Sequence, residues 1–236
     1  MKILQINNVT QCFGQLAAVK ELSFEVEKGE IFGIAGPNGA GKTTLFNVIT
    51  GFYRGSGVII FDNVNIMGLR PHQICCRGIA RTFQIPQLFS TLPMVENVRV
   101  GAHFGVRGAH DERERINEAI NLVGLQGKEN VIAANLNLFD KKLTMLAAAL
   151  ATKPKLLLLD EPIGGLSPIE VRQVITLTQK INQELGLTVI VIEHLMKVLT
   201  KISKRLMILH NGEKICIGPP QEVIEDKKVI EVYLGG

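Results

Sequence analysis

The order of apolar and polar residues along the first part of the chain predicts strands followed by a helix. Residues 22–26 alternate apolar and polar positions, which is typical of a half-exposed strand, and residues 31–35 form a short apolar run that predicts a buried strand. A helix is predicted over residues 43–50, ending at Gly51. Residues 58–61 and 64–66 predict a strand pair around Asp62 and Asn63.

The same alternation of strand and helix patterns returns after Pro154. A buried strand is predicted at residues 155–159 and another at 188–192. Between them a helix begins after Ser167, with Glu170 placed for a capping box, and ends at Gly186. Its predicted buried face consists of Val171, Val174, Ile175, Thr178 and Ile181. Residues 206–209 and 214–217 predict a hairpin with a type I′ turn at Asn211 and Gly212.

Residues 86–135 have a different pattern, in which charges are dense and apolar residues recur at helical spacing. We therefore expect one α/β domain over residues 1–236, with an N-terminal antiparallel β region. Its core comprises residues 1–85 and 150–236, and about 86–149 form an inserted α-helical subdomain.

The composition is that of an ordinary globular protein, with 46% apolar and 20% charged residues among 236. The formal net charge of +4 is spread without a run of five basic residues, so no nucleic-acid partner is expected. No segment approaches the roughly 20 apolar residues of a membrane span. The N-terminus has no signal-peptide pattern, so we expect the chain in the cytosol.

One motif carries a strong chemical prediction, because residues 36–43 match the phosphate-binding pattern G-x-x-x-x-G-K-[ST]. Its glycines let backbone N–H groups surround phosphates, and the N-terminus of the next helix adds partial positive charge. A lysine and a hydroxyl suit the β- and γ-phosphates and Mg²⁺. The predicted ATP-binding residues are Gly36, Pro37, Asn38, Gly39, Ala40, Gly41, Lys42, Thr43 and Thr44.

Two adjacent acids follow the apolar run at residues 156–159. A carboxylate at a strand tip can hold Mg²⁺, directly or through water, and Asp160 has that position. Glu161, one residue further, is placed to accept a proton from an attacking water.

The phosphate loop, the LLLLDEP segment at residues 156–162 and the later Ile192, Glu193 and His194 resemble the ATP-binding subunits of ABC transporters. The likeness covers nearly the whole chain. It is similar above all to the branched-chain amino-acid import type, at residues 78–84, 95–98, 191–198 and 229–235. The resemblance implies the P-loop NTPase fold of ABC ATPases.

The resemblance also implies a role for each matching residue. Phe13 would stack on adenine with Val19 beside it, although Phe13 also reads as a core aromatic. Gln84 would sense Mg²⁺ and the γ-phosphate, and His194 would contact the γ-phosphate. Thr43, Gln84 and Asp160 would hold Mg²⁺, Glu161 would be the general base, and Gly165, Leu166 and Ser167 would form the D-loop that crosses to a partner.

The family's signature, Leu-Ser-Gly-Gly-Gln, is missing from its expected place some twenty residues before the acid pair. Asn137 stands where serine is expected, and Phe139 where glycine is expected. In the family two subunits bind head to tail, so each ATP lies between one phosphate loop and the other subunit's signature. We expect the site that uses Asn137 and Phe139 to be weak or regulatory, although a local backbone adjustment would leave it working normally.

The resemblance implies an ATP-hydrolysing importer subunit on the cytoplasmic face of the membrane. Its expected partners are two transmembrane permease subunits and a second ABC ATPase, either a related chain or a second copy. An extracytoplasmic solute-binding protein would act indirectly. Two alternatives stay open: the ATPase of a lipopolysaccharide or lipid export complex, and a soluble ABC ATPase outside transport. The sequence does not identify the solute.

Overall fold

The computed structural model describes residues 1–105 and 111–234. Two parts of the predictions lie outside the described residues: positions 106–110 of the expected helical subdomain, and Gly235 of the C-terminal resemblance. Among the helices that are described, none combines the length and the apolar character needed to span a membrane.

The described part contains ten strands, nine α-helices and one short 3₁₀-helix. The strands are β1 Lys2–Phe13, β2 Leu16–Glu27, β3 Ile31–Ala35, β4 Ser56–Phe61, β5 Val64–Asn65, β6 Ile79–Thr82, β7 Leu156–Asp160, β8 Thr188–Ile192, β9 Arg205–His210 and β10 Glu213–Gly218. The helices are α1 Lys42–Ile49, α2 Pro71–Cys75, α3 Met94–Phe104, α4 Glu112–Val123, α5 Leu138–Ala151, α6 Pro168–Leu185, α7 Met196–Ile202, α8 Pro220–Glu225 and α9 Lys227–Leu234, with the 3₁₀-helix at Ala133–Asn135.

The chain divides into two compact units, of which the first comprises Met1–Ile74 and Thr188–Gly236. One sheet of this unit is antiparallel, in the order β2-β1-β4-β5. In the other, β3 pairs in parallel with β8 on one side and β9 on the other, and β10 pairs antiparallel with β9. Phe24 and Phe32 stack with ring centroids 5.5 Å apart, so aromatic packing joins β2 to β3.

Two tight turns of the first unit lie where the sequence predicts them, and the one at Asn211 and Gly212 has the predicted type. Asp62 and Asn63 have φ of 47° and 65°, and Asn211 and Gly212 have φ of 48° and 80°. Two consecutive positive values are the requirement of a type I′ turn, which Asn and Gly tolerate. The β4–β5 pair and the β9–β10 hairpin are therefore confirmed.

The second unit comprises Cys75–Leu187 and contains the parallel pair β6–β7 with the helices around it. Helix α5 is its central element, because most of its residues are buried against α3, α4 and β6. In α4 the regularly spaced Ile116, Ile120 and Val123 are buried, and Gly124 ends the helix in the left-handed conformation. The boundaries expected for the inserted subdomain stay a prediction.

Helix α6 has the capping box expected from its sequence. Ser167 accepts from the Glu170 backbone N–H, and the Glu170 carboxylate accepts from the Ser167 N–H. Of its predicted buried face, Val174, Thr178 and Ile181 are buried. Val171 and Ile175 are only half-buried, so the prediction of one fully buried face was too wide.

Candidate functional site

The phosphate loop connects β3 to α1 in the first unit and has two backbone positions that only glycine fits. Gly41 has φ of 100°, and a Cβ placed there would lie 2.2 Å from the carbonyl oxygen of Ala18. Gly36 has φ of 154°, and its Cβ would lie 2.0 Å from the carbonyl oxygen of Leu209. The loop is therefore pressed against neighbouring backbone at Gly36 and Gly41, where glycine is required by space as well as by conformation.

Helix α1 begins in a way that suits an anion. Gly41 occupies its N-cap position and, within the described residues, no side chain caps the helix. The first turn has no acidic residue and carries Lys42, and Thr43 is exposed. The first turn of α1 thus places no carboxylate of its own at the positive end of the helix dipole.

Lys42 is almost completely buried, with 5% of its surface exposed. Its Nζ donates to the carbonyl oxygens of Gly36 at 2.7 Å and Pro37 at 2.9 Å. The ammonium group is thus held across the loop by backbone acceptors, which stabilises a buried charge. These two hydrogen bonds fold the phosphate loop around the Lys42 side chain.

The other predicted residues of the first unit differ in how accessible they are. Phe13 is 46% exposed and meets the Tyr53 ring edge-to-face at 5.1 Å, so it is not a core aromatic. Val19 is completely buried and offers no open surface here. His194 is exposed, with its Nδ1 3.9 Å from a carboxylate oxygen of the buried Glu193. The roles of Phe13, Val19 and His194 stay predictions.

In the second unit the structure brings Gln84 and Glu161 together. The Nε2 of Gln84 donates to Oε2 of Glu161 at 2.6 Å, across 77 residues of sequence. Glu161 follows β7 with φ of 46°, a left-handed conformation that costs a non-glycine residue about 1–3 kcal/mol. The strained residue at this strand tip is therefore also the one whose carboxylate accepts from Gln84.

Asp160 forms a buried ion pair that the sequence did not predict. Its Oδ2 accepts from an Arg81 guanidinium nitrogen at 2.7 Å, and both side chains are about 95% buried, at 5% and 3% exposure. Arg81 also lies over the Phe83 ring, 4.9 Å from its centroid. Removing one partner of such a pair costs about 3–5 kcal/mol. Arg81 therefore fixes one oxygen of the proposed metal holder.

A second residue missed by the sequence is Lys142, on α5. Its Nζ donates to the carbonyl oxygens of Gln84 at 3.3 Å and Glu161 at 3.1 Å. Only 6% of Lys142 is exposed. The one available signal was a lysine beside the apolar positions of a buried helix, which by itself does not identify a partner.

Residues 137–139 stand where the family's signature is expected and are called the signature segment here. This segment forms the start of α5, which has a side-chain cap. Asn137 accepts a hydrogen bond from the Asp140 backbone N–H at 2.8 Å and so caps α5. The Asp140 carboxylate lies in the first turn and pairs with Lys128 at 2.6 Å. Phe139 is half-buried.

The predicted D-loop follows in the same unit. A Cβ at Gly165 would lie 3.0 Å from Cδ2 of Leu138, so this segment packs against the start of α5. Leu166 is half-buried, and Ser167 is the N-cap of α6.

Two protein-family models match this chain, and one of them includes the phosphate loop and the two acids described above. The ABC transporter family model matches residues 19–164, which include the phosphate loop and the acid pair. The chain belongs to the ABC transporter family. A second model, for the branched-chain amino acid ATP-binding cassette transporter, matches residues 213–236.

Curated relatives of this cassette cover it almost end to end. The high-affinity branched-chain amino acid transport ATP-binding protein BraF of Pseudomonas aeruginosa is 34% identical, over 99% of this chain and 98% of the relative. LivG of Escherichia coli K12, with the same description, is 32% identical over 99% and 98%.

Solved ABC cassettes share its fold. The ADP conformation of the cassette MJ1267 has a TM-score of 0.90 at 30% identity, covering 100% of both chains. A dimeric cassette, MJ0796, in a post-hydrolysis state with ADP and phosphate has a TM-score of 0.82 at 27% identity, covering 92% of this chain and 98% of that one. The predicted ABC ATPase fold is confirmed, and this cassette is a nucleotide-binding, ABC-type ATPase.

Proposed function

We propose that this ATPase energises an importer of branched-chain amino acids or similar small polar solutes from the cytoplasmic face of the membrane. The support is the full-length similarity to BraF and LivG, both named for branched-chain amino acid transport. Two permease subunits would complete the transporter, and a solute-binding protein would deliver its cargo. None of these relatives favours the export or non-transport alternatives.

The phosphate loop fits a triphosphate. Gly36 and Gly41 leave no room for a side chain, the N-cap of α1 makes no side-chain hydrogen bond within the described residues, and Lys42 supplies positive charge. These features bind anionic oxygens by backbone donors and by charge together. Gly36 to Thr44 thus form the proposed phosphate site, and Phe13 is the proposed adenine contact.

Magnesium fits the oxygen donors of this chain only together with nucleotide. Among the described residues no group of three or more His, Cys, Asp or Glu could hold a metal by itself. The proposed holders are the exposed hydroxyl of Thr43, the Gln84 amide oxygen and Asp160, all hard oxygen ligands. When bound, Mg²⁺ neutralises charge on the phosphate oxygens.

The hydrogen bond between Gln84 and Glu161 is the observation that carries the hydrolytic proposal. It places a carboxylate, the proposed general base, beside an amide that can also orient water. Glu161 accepts a proton from the attacking water, while Gln84 aligns the pair. His194 is the proposed contact to the γ-phosphate.

The start of α5 supports an unequal pair of ATP sites. Asn137 accepts from the Asp140 backbone N–H, and the Asp140 carboxylate, paired with Lys128, occupies the first turn. A γ-phosphate at this helix end would have to compete with that carboxylate for Lys128 and for the positive end of the helix dipole. The solved cassette dimers support a second ATPase subunit, and we propose a related chain with an intact signature rather than a second copy.

The test replaces the general base of one subunit at a time in the reconstituted transporter. Glu161→Gln in this chain should retain MgATP binding and reduce turnover by at least about 100-fold, because the base is lost and the phosphate loop is not. The equivalent change in the second subunit should have a smaller effect. Wild-type turnover by Glu161→Gln refutes the base assignment, and equal losses from both subunits refute the asymmetry.

A further inference from the structure

Lys142 connects three segments of the second unit at one point. It stands on α5, one turn after the signature segment, and its ammonium group contacts the backbone of both Gln84 and Glu161. Those two residues are 77 positions apart and are joined again by their own side chains at 2.6 Å. The amide, the carboxylate and the lysine thus form one closed set of contacts.

The burial of Lys142 is energetically costly and is not explained by packing alone. Lys142 is 6% exposed, and burying its charged side chain removes hydration, which is costly unless acceptors replace the water. The carbonyl oxygens of Gln84 and Glu161 are such acceptors, at 3.3 Å and 3.1 Å. An apolar residue would fill this buried position at less cost, so the lysine is not explained by packing alone.

The neighbouring lysine provides a natural comparison. Lys141, on the same helix turn, also donates to one backbone carbonyl, that of Ala134 at 3.1 Å. Lys141 is more exposed, and its acceptor lies in the 3₁₀-helix, away from Gln84 and Glu161. The two lysines make the same kind of contact, and only one of them contacts the proposed hydrolytic pair.

We propose that Lys142 is a positioning residue, which holds the backbones of Gln84 and Glu161 in register and ties them to the helix that begins with the signature segment. This inference rests on the proposed role of Glu161 as general base. Glu161 has a strained, left-handed backbone, and the Lys142 contact to its carbonyl oxygen holds that backbone in place. A movement of α5 would therefore be passed directly to the base.

The experiment measures single-turnover and steady-state ATP hydrolysis by the full chain in its complex with the membrane subunits and the second ATPase. Lys142→Met should lower kcat on the order of 10- to 100-fold, because a small displacement of a catalytic group has that effect. KM and the Kd for MgATP should change less than about twofold, since the phosphate loop is untouched. Lys142→Arg should restore most of kcat, and Lys141→Met should match the wild type.

A double variant separates a positioning role from a structural one. If Lys142 acts through Glu161, then adding Lys142→Met to Glu161→Gln should lower single-turnover hydrolysis no further. Thermal unfolding of each variant checks folding, and Lys142→Gln, which keeps a donor without the charge, replaces Lys142→Met should the latter fail to fold. Unchanged kcat, or an equal loss in the Glu161→Gln background, overturns the inference. A wild-type complex that fails to hydrolyse ATP refutes the proposed function instead.

Discussion

Helices α1 and α5 begin in opposite ways, although a cassette of this family would present both N-termini to phosphate. The start of α1 has glycine at the N-cap, a lysine in the first turn and, among described residues, no capping side chain. The start of α5 has Asn137 as a cap, Phe139 in place of glycine and the Asp140 carboxylate in the first turn. One helix end is open to an anion, and the other is already neutralised by its own chain.

This difference supports the proposal that one chain keeps its hydrolytic residues and yet contributes to only one effective ATP site. In that proposal, the phosphate loop, Gln84 and Glu161 are the catalytic groups that this chain supplies to one site. Asn137 and Phe139 are what it contributes to the other site, where the partner would supply the catalytic groups. A chain of this kind works best beside a second ATPase whose signature is intact, which is the arrangement we propose.

The largest effect is expected at the open helix end, from Lys42→Ala. MgATP binding should fall by at least about 100-fold, because the β- and γ-phosphates lose their point charge and the loop loses its two lysine–carbonyl contacts. Isothermal titration of the purified chain with MgATP measures the change. The exposed Lys28, in the turn before β3, provides the control Lys28→Ala, which should bind as the wild type does. Full binding by Lys42→Ala would show that α1 is not the phosphate site.

The next largest effect is expected from changing the N-terminus of α5 so that it resembles an intact signature. Asn137→Ser, Phe139→Gly and Asp140→Gln together should raise hydrolysis at the second site on the order of tenfold, because a carboxylate and a ring are removed from the path of a phosphate. Hydrolysis is measured in the complex that carries Glu161→Gln, which silences the other site. Asp111→Asn, which alters an acid at the start of α4, is the control. No gain from the triple variant would mean that the segment already works as it stands.

A smaller effect is expected from removing the cap of α5. Asn137→Ala should lower the free energy of unfolding by about 1 kcal/mol, because the Asp140 N–H loses its acceptor. Urea denaturation measures it. Asn137→Asp keeps an acceptor and should retain the stability, and Asn135→Ala, an exposed amide two residues earlier, should change nothing. An unaltered midpoint for Asn137→Ala would show that the cap does not stabilise α5.

Local patterns predicted much of the fold, since they depend on residues a few positions apart. The type I′ turns, the Ser167 capping box and the phosphate loop each follow from neighbouring residues with defined backbone preferences. The contacts of Arg81 and Lys142 do not, because their partners Asp160 and Glu161 lie 79 and 19 positions away. The pairing of β6 with β7 brings the first of these together, and no local sequence signal encodes that pairing. The sequence therefore predicted the two proposed acidic residues and missed the cations that contact them, Arg81 at the Asp160 carboxylate and Lys142 at the Glu161 backbone.

The smallest effect is expected at the start of α6, where the capping box contains a charged residue, Glu170, whereas the cap of α5 is the neutral Asn137. Hydrogen bonds from the Ser167 side chain and backbone N–H lower the pKa of Glu170 below its ordinary value of 4.5. A lowered pKa in the folded state stabilises the fold above the ordinary value, and the contribution is lost as pH falls through the lowered one. Urea denaturation should therefore find Glu170→Gln less stable than the wild type at neutral pH, with the difference shrinking below pH 4.5. The deficit of Asn137→Ala should persist through the same range, because an asparagine cap does not titrate. A Glu170→Gln deficit that stays constant with pH would show that the carboxylate charge contributes nothing to the start of α6.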